Sequence, residues 1–271
     1  MSADYRQALL RVAASMHEAG VTPLTLQDSV FNTWLVGLSQ SPTTRSNYRR
    51  MGLTLWRAAI EAGLTANHIG KIRPVKAPVA PPVAWSRDEL FSLLAHIETL
   101  RGEFSSGCKQ RAFWKAWVHL GYESGLRFGD MHELRCSSVR TRRLTVMQHK
   151  TKRPIGKVLS SDCSSALTDM MARSPDGTVF KWALSRRWVM VSFKGVCSGA
   201  GLPGSTKWLR RSGATAVEMA SPGSAQRFLG HLSPGLAQKH YLDPSLLADS
   251  VPAPPSLSQS SSLDPALASV F

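Results

Sequence analysis

Tyr241 stands in a setting unlike that of a packing residue. It is one of four tyrosines and closes the polar, basic stretch "LGHLSPGLAQKHY", ten residues after His231. A phenol ionises at about pH 10, so at neutral pH it is a weak nucleophile. To attack a phosphodiester it needs cations on the non-bridging oxygens and an acid for the leaving oxygen. It also needs a base, or a positive field, that favours the phenolate. Arginine suits the first task, because its planar fork binds two oxygens and stays charged.

Groups of those types occur at other points of the chain. "YESGLRFGDMHELR" holds Arg127 just past Gly125, where the pattern predicts a helix start. Asp130 follows on the same helical face, within reach of that arginine. "KWLRRSGATAVEMA" holds Arg210 and Arg211 where another helix begins, and "QHKTKRP" holds Lys150 beside a turn. Taken one at a time, each reads as an ordinary surface charge.

The balance of the whole chain favours a polyanionic partner. Thirty-three Lys+Arg against 18 Asp+Glu give a net charge of +15 over 271 residues. Nucleic acid is the default partner for a folded chain this basic. Cys108, Cys136, Cys163 and Cys197 are scattered without a C-x-x-C pair, which fits neither a zinc site nor a disulfide framework and suits a reducing cytoplasm. The N-terminal stretch is amphipathic and charged, unlike a signal peptide, and no apolar run approaches a membrane span. The expectation is a soluble intracellular protein of the cytoplasm, associated with the nucleoid, with no membrane contact.

The elements that must position these residues fall into two unequal parts. "RPVKAPVAPPVAW", residues 73–85, carries four prolines and reads as a semi-rigid extended linker. Residues 1–72 read as a helical domain. Ser41 and Pro42 suit the N-cap and first turn of a helix whose buried stripe is Leu53, Trp56 and Ile60 and whose stop is Gly63. Arg45, Arg49 and Arg50 crowd the first half of that helix, as a solvated face or as contacts to a DNA backbone. In residues 86–248, Ser86 and Glu89 form a capping-box pattern, and "QRAFWKAWVHLGYESGL" is amphipathic. "LTVMQH" and "KVLSS" are short strand-like runs around a turn, which predicts a hairpin. The tail, 249–271, is rich in proline and serine and predicted to be flexible. The fold class is mainly α with a small β-sheet.

In this order the segments resemble the tyrosine recombinases, the family of phage integrases and Xer-type site-specific recombinases. "SGLRFGDMHELR" is similar to the family's first arginine box, "QHKTKRPIGKVLS" to its hairpin-lysine segment, and "KWLRRSGAT" to its second box. "LGHLSPGLAQKHY" is similar to its third box, which ends in the nucleophile, and "SPTTRSNYRRMGLTLWRAAIEAG" to its helical core-binding domain. The resemblance implies a two-domain clamp on DNA, with a core-binding domain at 1–72 and an α+β catalytic domain of the DNA breaking-rejoining type at 86–248. It implies that Tyr241 attacks the scissile phosphate and becomes linked to the 3′ end. Arg127 and Arg210 would clamp the phosphate oxygens, and Lys150 would protonate the leaving 5′ oxygen. His231 would hydrogen-bond the phosphate or help move the tyrosine proton, and Asp130 would orient the catalytic groups. No cofactor, metal or ATP is implied, because the bond energy is kept in the phosphotyrosine. The implied partner is double-stranded DNA with inverted-repeat core sites, gripped by a tetramer on paired sites.

Three departures from the family pattern stand out. Lys207 occupies the place where the second box ordinarily has histidine, and a lysine is a poor proton acceptor at neutral pH. His231 and Tyr241 are one residue further apart than is usual, and His240 is a neighbour without an implied role. Lys152 rivals Lys150 as the hairpin lysine and, with Arg211 and the N-terminal arginines, is a candidate DNA contact. A non-catalytic DNA-binding architectural or regulatory protein of the same fold is the alternative, with Lys207 in its favour and the intact tyrosine against it. A nicking-closing topoisomerase would use the same chemistry.

Overall fold

Helix starts follow the residue types found there. In the computed structural model, which describes residues 3–76, 78, 80–182, 184–230, 237, 240–243 and 246–247, two compact units divide at residues 80 and 81. His231 and the tail 249–271 lie outside the described residues.

The first unit holds α1 (Ala3–Glu18), α2 (Asp28–Gly37) and α3 (Pro42–Glu61). Ser41 caps α3, its Oγ accepting the Thr44 N–H at 3.3 Å, and Gly63 follows the helix at φ 68°. Leu53 and Trp56 are buried, as the spacing predicts, and pack with Phe31, Trp34 and Val12; Ile60 is partly buried against them. The chain beyond α3 has no regular structure yet is fastened down. Trp56 Nε1 donates to the Asn67 carbonyl at 2.9 Å, and the Asp28 carboxylate accepts the N–H groups of Gly70 and Lys71.

The second unit runs α4 (Arg87–Thr99), α5 (Gln110–Ser124), α6 (Phe128–His132), β1 (Val139–Arg140), β2 (Arg143–Met147), β3 (Pro154–Val158), α7 (Ser161–Met171), α8 (Arg186–Gly199), α9 (Thr206–Ala220) and α10 (Ala225–Leu229). The Ser86–Glu89 capping box is present in both directions, at 3.2 and 2.7 Å. Helix α5 buries Phe113, Trp114, Trp117, Val118 and Leu120, apolar surface on most of its circumference, and it packs against α4, α7 and α9. An amphipathic surface helix would bury one stripe; a helix buried nearly all round sits at the centre of its unit.

The expected hairpin is β2–β3, antiparallel, and β1 adds a third strand on the far side of β2. Two residues are too few to carry an alternating pattern, so β1 was not legible in the sequence. The register sets Leu144 opposite Lys157 and Val146 opposite Ile155 on the inward face.

Helices α5 and α9 meet backbone to backbone at one point. A Cβ on Gly213 would lie 2.0 Å from the Tyr122 carbonyl oxygen, so only glycine lets the two helices approach this closely. That seam brings the end of α5 beside the start of α9.

The described part of the proline-rich linker forms no helix or strand, in line with its composition. Its two ends are not free, however. Arg49 Nε and Nη2 hold the carbonyls of Arg73 and Ile72, at 2.9 and 3.1 Å, and Trp85 is buried against Phe193 and Trp208. Among the described residues no helix is long and apolar enough to cross a membrane.

Candidate active site

Gly125 ends α5 in the left-handed conformation, at φ 58°. A side chain there would be strained, and its Cβ would also come within 2.5 Å of the Phe228 ring. The turn it makes delivers Arg127 to the N-cap position of α6. Arg127 is partly buried, and its Nη1 has no hydrogen-bond partner among the described residues. A buried guanidinium nitrogen is costly to leave without an anion or another acceptor.

Arg210 projects from the first turns of α9 and is 4 % exposed. Its Nη1 donates to the Gly125 carbonyl and its Nη2 to the Leu229 carbonyl at 3.1 Å. The guanidinium carbon lies 4.8 Å from the centre of the Tyr241 ring. Burial lowers the Arg210 pKa and the Tyr241 hydroxyl, to which it is hydrogen-bonded, raises it; at about 10 the group is still charged at neutral pH. The charges of Arg127 and Asp130 act on the same guanidinium.

Arg127, Lys150, Lys207, Arg210, Arg211, His240 and Tyr241 line one cleft of about 460 Å³, floored by Leu126, Phe128 and Gly129. Residues from separate segments of the sequence therefore share one basic depression. Tyr241 is partly buried, its N–H bonded to the Ala237 carbonyl at 2.9 Å. Lys150 comes from the β2–β3 turn and is exposed; Lys152, in the same turn at φ 53°, does not line the cleft. Lys207 is exposed one turn before Arg210 on α9. Arg211 both lines the cleft and donates to the Val83 carbonyl at 3.3 Å.

Asp130 is placed otherwise than its spacing suggests. Instead of pairing with Arg127, its Oδ1 accepts the His149 N–H at 2.8 Å, and its Oδ2 has no hydrogen-bond partner among the described residues. The reason is that Arg127 stands at the N-cap with extended backbone, φ −71° and ψ 152°, so the spacing of a helical face does not apply to it. Asp130 thus holds the residue next to Lys150. In the first unit, Arg49 commits two donors to the chain at 72–73, Arg45 has a buried Nε without a partner among the described residues, and Arg50 is exposed.

One buried cation near Arg210 was missed. Lys157 faces inward from β3, its Nζ donating to the Phe228 carbonyl and lying 4.1 Å from the centre of the Phe228 ring. Burial, reinforced by the Arg210 charge, pulls its pKa down to about 8. Lys157 and Arg210 together cover the last carbonyls of α10, just ahead of Gly230 and His231. The available signal was alternation: two residues after the inward Ile155, a lysine occupies an apolar position.

A sequence model of the phage integrase family matches residues 85–246. The chain belongs to the phage integrase family. As a family member it is a tyrosine recombinase, an enzyme class that breaks and rejoins DNA. No curated protein matches the sequence. Among solved structures, this integrase-family chain is similar to a lambda integrase dimer bound to a COC′ core site, at 19 % identity and a TM-score of 0.70, covering 88 % of this chain and 71 % of that one. A lambda integrase tetramer bound to a Holliday junction matches at 19 % identity and 0.69, covering 86 % and 73 %. XerH recombinase bound to a palindromic difH substrate matches at 16 % and 0.60, covering 77 % and 67 %. At these identities the likeness is one of fold.

Proposed function

We propose that the protein is a site-specific DNA recombinase in which Tyr241 is the nucleophile. The observation that carries this reading is the cleft in which the Tyr241 ring lies 4.8 Å from the Arg210 guanidinium, with Arg127 and Lys150 on its walls. The tyrosine oxygen attacks the scissile phosphorus and forms a new Tyr O–P bond, the P–O bond to the 3′ oxygen is kept, and the bond to the 5′ oxygen breaks. Arg127 and Arg210 neutralise the non-bridging oxygens as charge builds there. Lys150 gives its proton to the departing 5′ oxygen. The phenolic proton leaves under the field of the two arginines, with His231 as its acceptor and Lys207 as a further donor to the phosphate. Attack by a 5′ hydroxyl on the phosphotyrosine reverses every step and needs no external energy source.

In this reading residues 1–72 form the core-binding domain, with Arg45, Arg49 and Arg50 toward the DNA backbone. Residues 73–85 are the linker, 86–248 the catalytic domain and 249–271 a tail. Lys152 and Arg211 contact DNA beside the cleft. The substrate is duplex DNA with inverted core sites, engaged by a tetramer on paired sites in the cytoplasm, at the nucleoid. The likeness to lambda integrase bound to a core site and to a Holliday junction supports this assembly.

The test itself reveals the DNA target. Wild type and Tyr241→Phe are expressed in cells, the lysate is denatured, and protein-linked DNA is recovered and sequenced. Enrichment of a defined inverted-repeat locus with wild type, and its loss with the variant, is the expected result. No adduct from either protein, with native pull-down of the same DNA, would leave a binding factor.

A further inference from the structure

Three successive residues at the end of the linker are held by neighbours of the catalytic groups. The Val83 carbonyl accepts from Arg211 Nη1 at 3.3 Å, the Ala84 N–H donates to Asp243 Oδ2 at 2.8 Å, and the Trp85 N–H donates to Ser212 Oγ at 2.8 Å. Arg211 and Ser212 directly follow Arg210, and Asp243 stands two residues past Tyr241. The Asp243 N–H also donates to Thr215 Oγ1 on α9, at 3.1 Å. Asp243 is 4 % exposed. A carboxylate so deeply buried is costly to keep, and an apolar residue would fill the space without that cost. Polar bonds, the Ala84 N–H among them, rather than packing account for an acid at this position.

What it bonds to is a fixed point. Trp85 is 2 % exposed, its ring lies against Phe193 and Trp208, and its Nε1 donates to the Pro203 carbonyl at 2.9 Å. Tyr241 is thus bracketed. On its N-terminal side it has the Ala237 carbonyl, at its ring Arg210, and on its C-terminal side a carboxylate tied to the anchored end of the linker.

We propose that Asp243 is a positioning residue for Tyr241, fastening the nucleophile's segment to the point where the linker reaches the catalytic unit. This rests on the reading of Tyr241 as the nucleophile. Seating of residues 83–85 then sets where the phenol sits, and a pull on the linker is felt two residues from the reacting oxygen. Displacing an attacking atom by about 1 Å costs on the order of 10²-fold in rate, so a single such bond matters to cleavage without touching DNA.

The test uses the full chain with Asp243→Ala, Asp243→Asn and Ala84→Pro. The last removes the same bond from the donor side, so the proposal stays testable even if Asp243→Ala folds poorly. In the free proteins, amide hydrogen exchange at 241–243 is expected to rise roughly tenfold or more in Asp243→Ala and Ala84→Pro. At the loci marked by wild type, covalent adducts should fall by roughly tenfold or more in both, with native pull-down of those loci unchanged. Asp243→Asn keeps an acceptor oxygen and should recover most of both signals. Wild-type adduct yield in Asp243→Ala and Ala84→Pro, or unchanged exchange at 241–243, would overturn the assignment. Absence of any adduct from wild type would instead remove the nucleophile reading and the positioning role with it, while the exchange data report separately on the tie.

Discussion

On the α9 side of the cleft, Arg210 is buried and has two guanidinium nitrogens on the carbonyls of Gly125 and Leu229. On the hairpin side, Lys150 is exposed on a turn, with Asp130 holding the backbone of its neighbour His149. Both residues are cations that the proposed mechanism needs, yet one is locked by backbone acceptors and the other is presented on a short reach of chain. The difference suits their tasks. A clamp for phosphate oxygens gains from being preorganised, because reorientation at the moment of reaction costs rate. A proton donor must meet a leaving oxygen and then take the proton back, which a lysine on a turn can do.

The largest effect that would test this contrast is Arg210→Lys. A lysine cannot reach both carbonyls and the phosphate, so adduct formation should fall by about 10³-fold. Stability should fall with it, by roughly 1–3 kcal/mol, because a buried carbonyl is left without its donor. Normal thermal stability in this variant would show that the backbone bonds are incidental. Next in size is Lys150→Ala, expected to lower cleavage by about 10²-fold and to leave stability within about 0.5 kcal/mol. On the recovered locus, a substrate with sulfur in place of the 5′ bridging oxygen should rescue Lys150→Ala, since a thiolate departs without a proton. The same substrate should not rescue Arg210→Lys. Rescue of both, or of neither, would erase the division of labour.

The smallest effect concerns Lys157, the cation between the two sides. Its pKa of about 8 in the folded chain is below the ordinary 10.5. Between those values the unfolded chain binds more protons than the folded one, so this residue makes stability rise with pH across that window. Below about pH 8 both states are protonated and the cost of burying the charge is present in full. Lys157→Met should lose that slope, so that wild type gains stability relative to the variant between about pH 8 and 10.5. Parallel melting curves across that range would contradict the buried, charge-bearing placement.

Local chemistry was legible in the sequence and long-range commitments were not. The Ser41 cap, the Ser86–Glu89 box, the Gly63 stop and the β2–β3 hairpin each depend on residues a few positions apart, and each is present. Of the residues the boxes named, Arg127, Lys150, Lys207, Arg210 and Tyr241 line the cleft, Asp130 and Lys152 do not, and His231 lies outside the described residues. Spacing could not show that Asp130 turns to His149 rather than to Arg127, because Arg127 proves to be an extended N-cap and not a helical residue. Nor could it show that Arg210 binds a carbonyl on a helix end 85 positions earlier, or that Lys157 lies under Phe228. That the ends of the proline-rich stretch are fastened was not legible, since composition says nothing of which carbonyls and N–H groups find partners.

The contact of Gly213 with the Tyr122 carbonyl bears on how such an enzyme is retargeted. Where two helix backbones touch, no other residue can enter without parting them, and beside them stand the two arginines to which the proposed mechanism gives the phosphate. Evolution toward a new DNA address, or a library built to select one, has no room to explore along that seam. Variation there is spent on misfolded proteins. Diversity is better placed in the N-terminal helices and around the hairpin turn, where the proposed function puts the DNA contacts and no such backbone seam constrains the side chain.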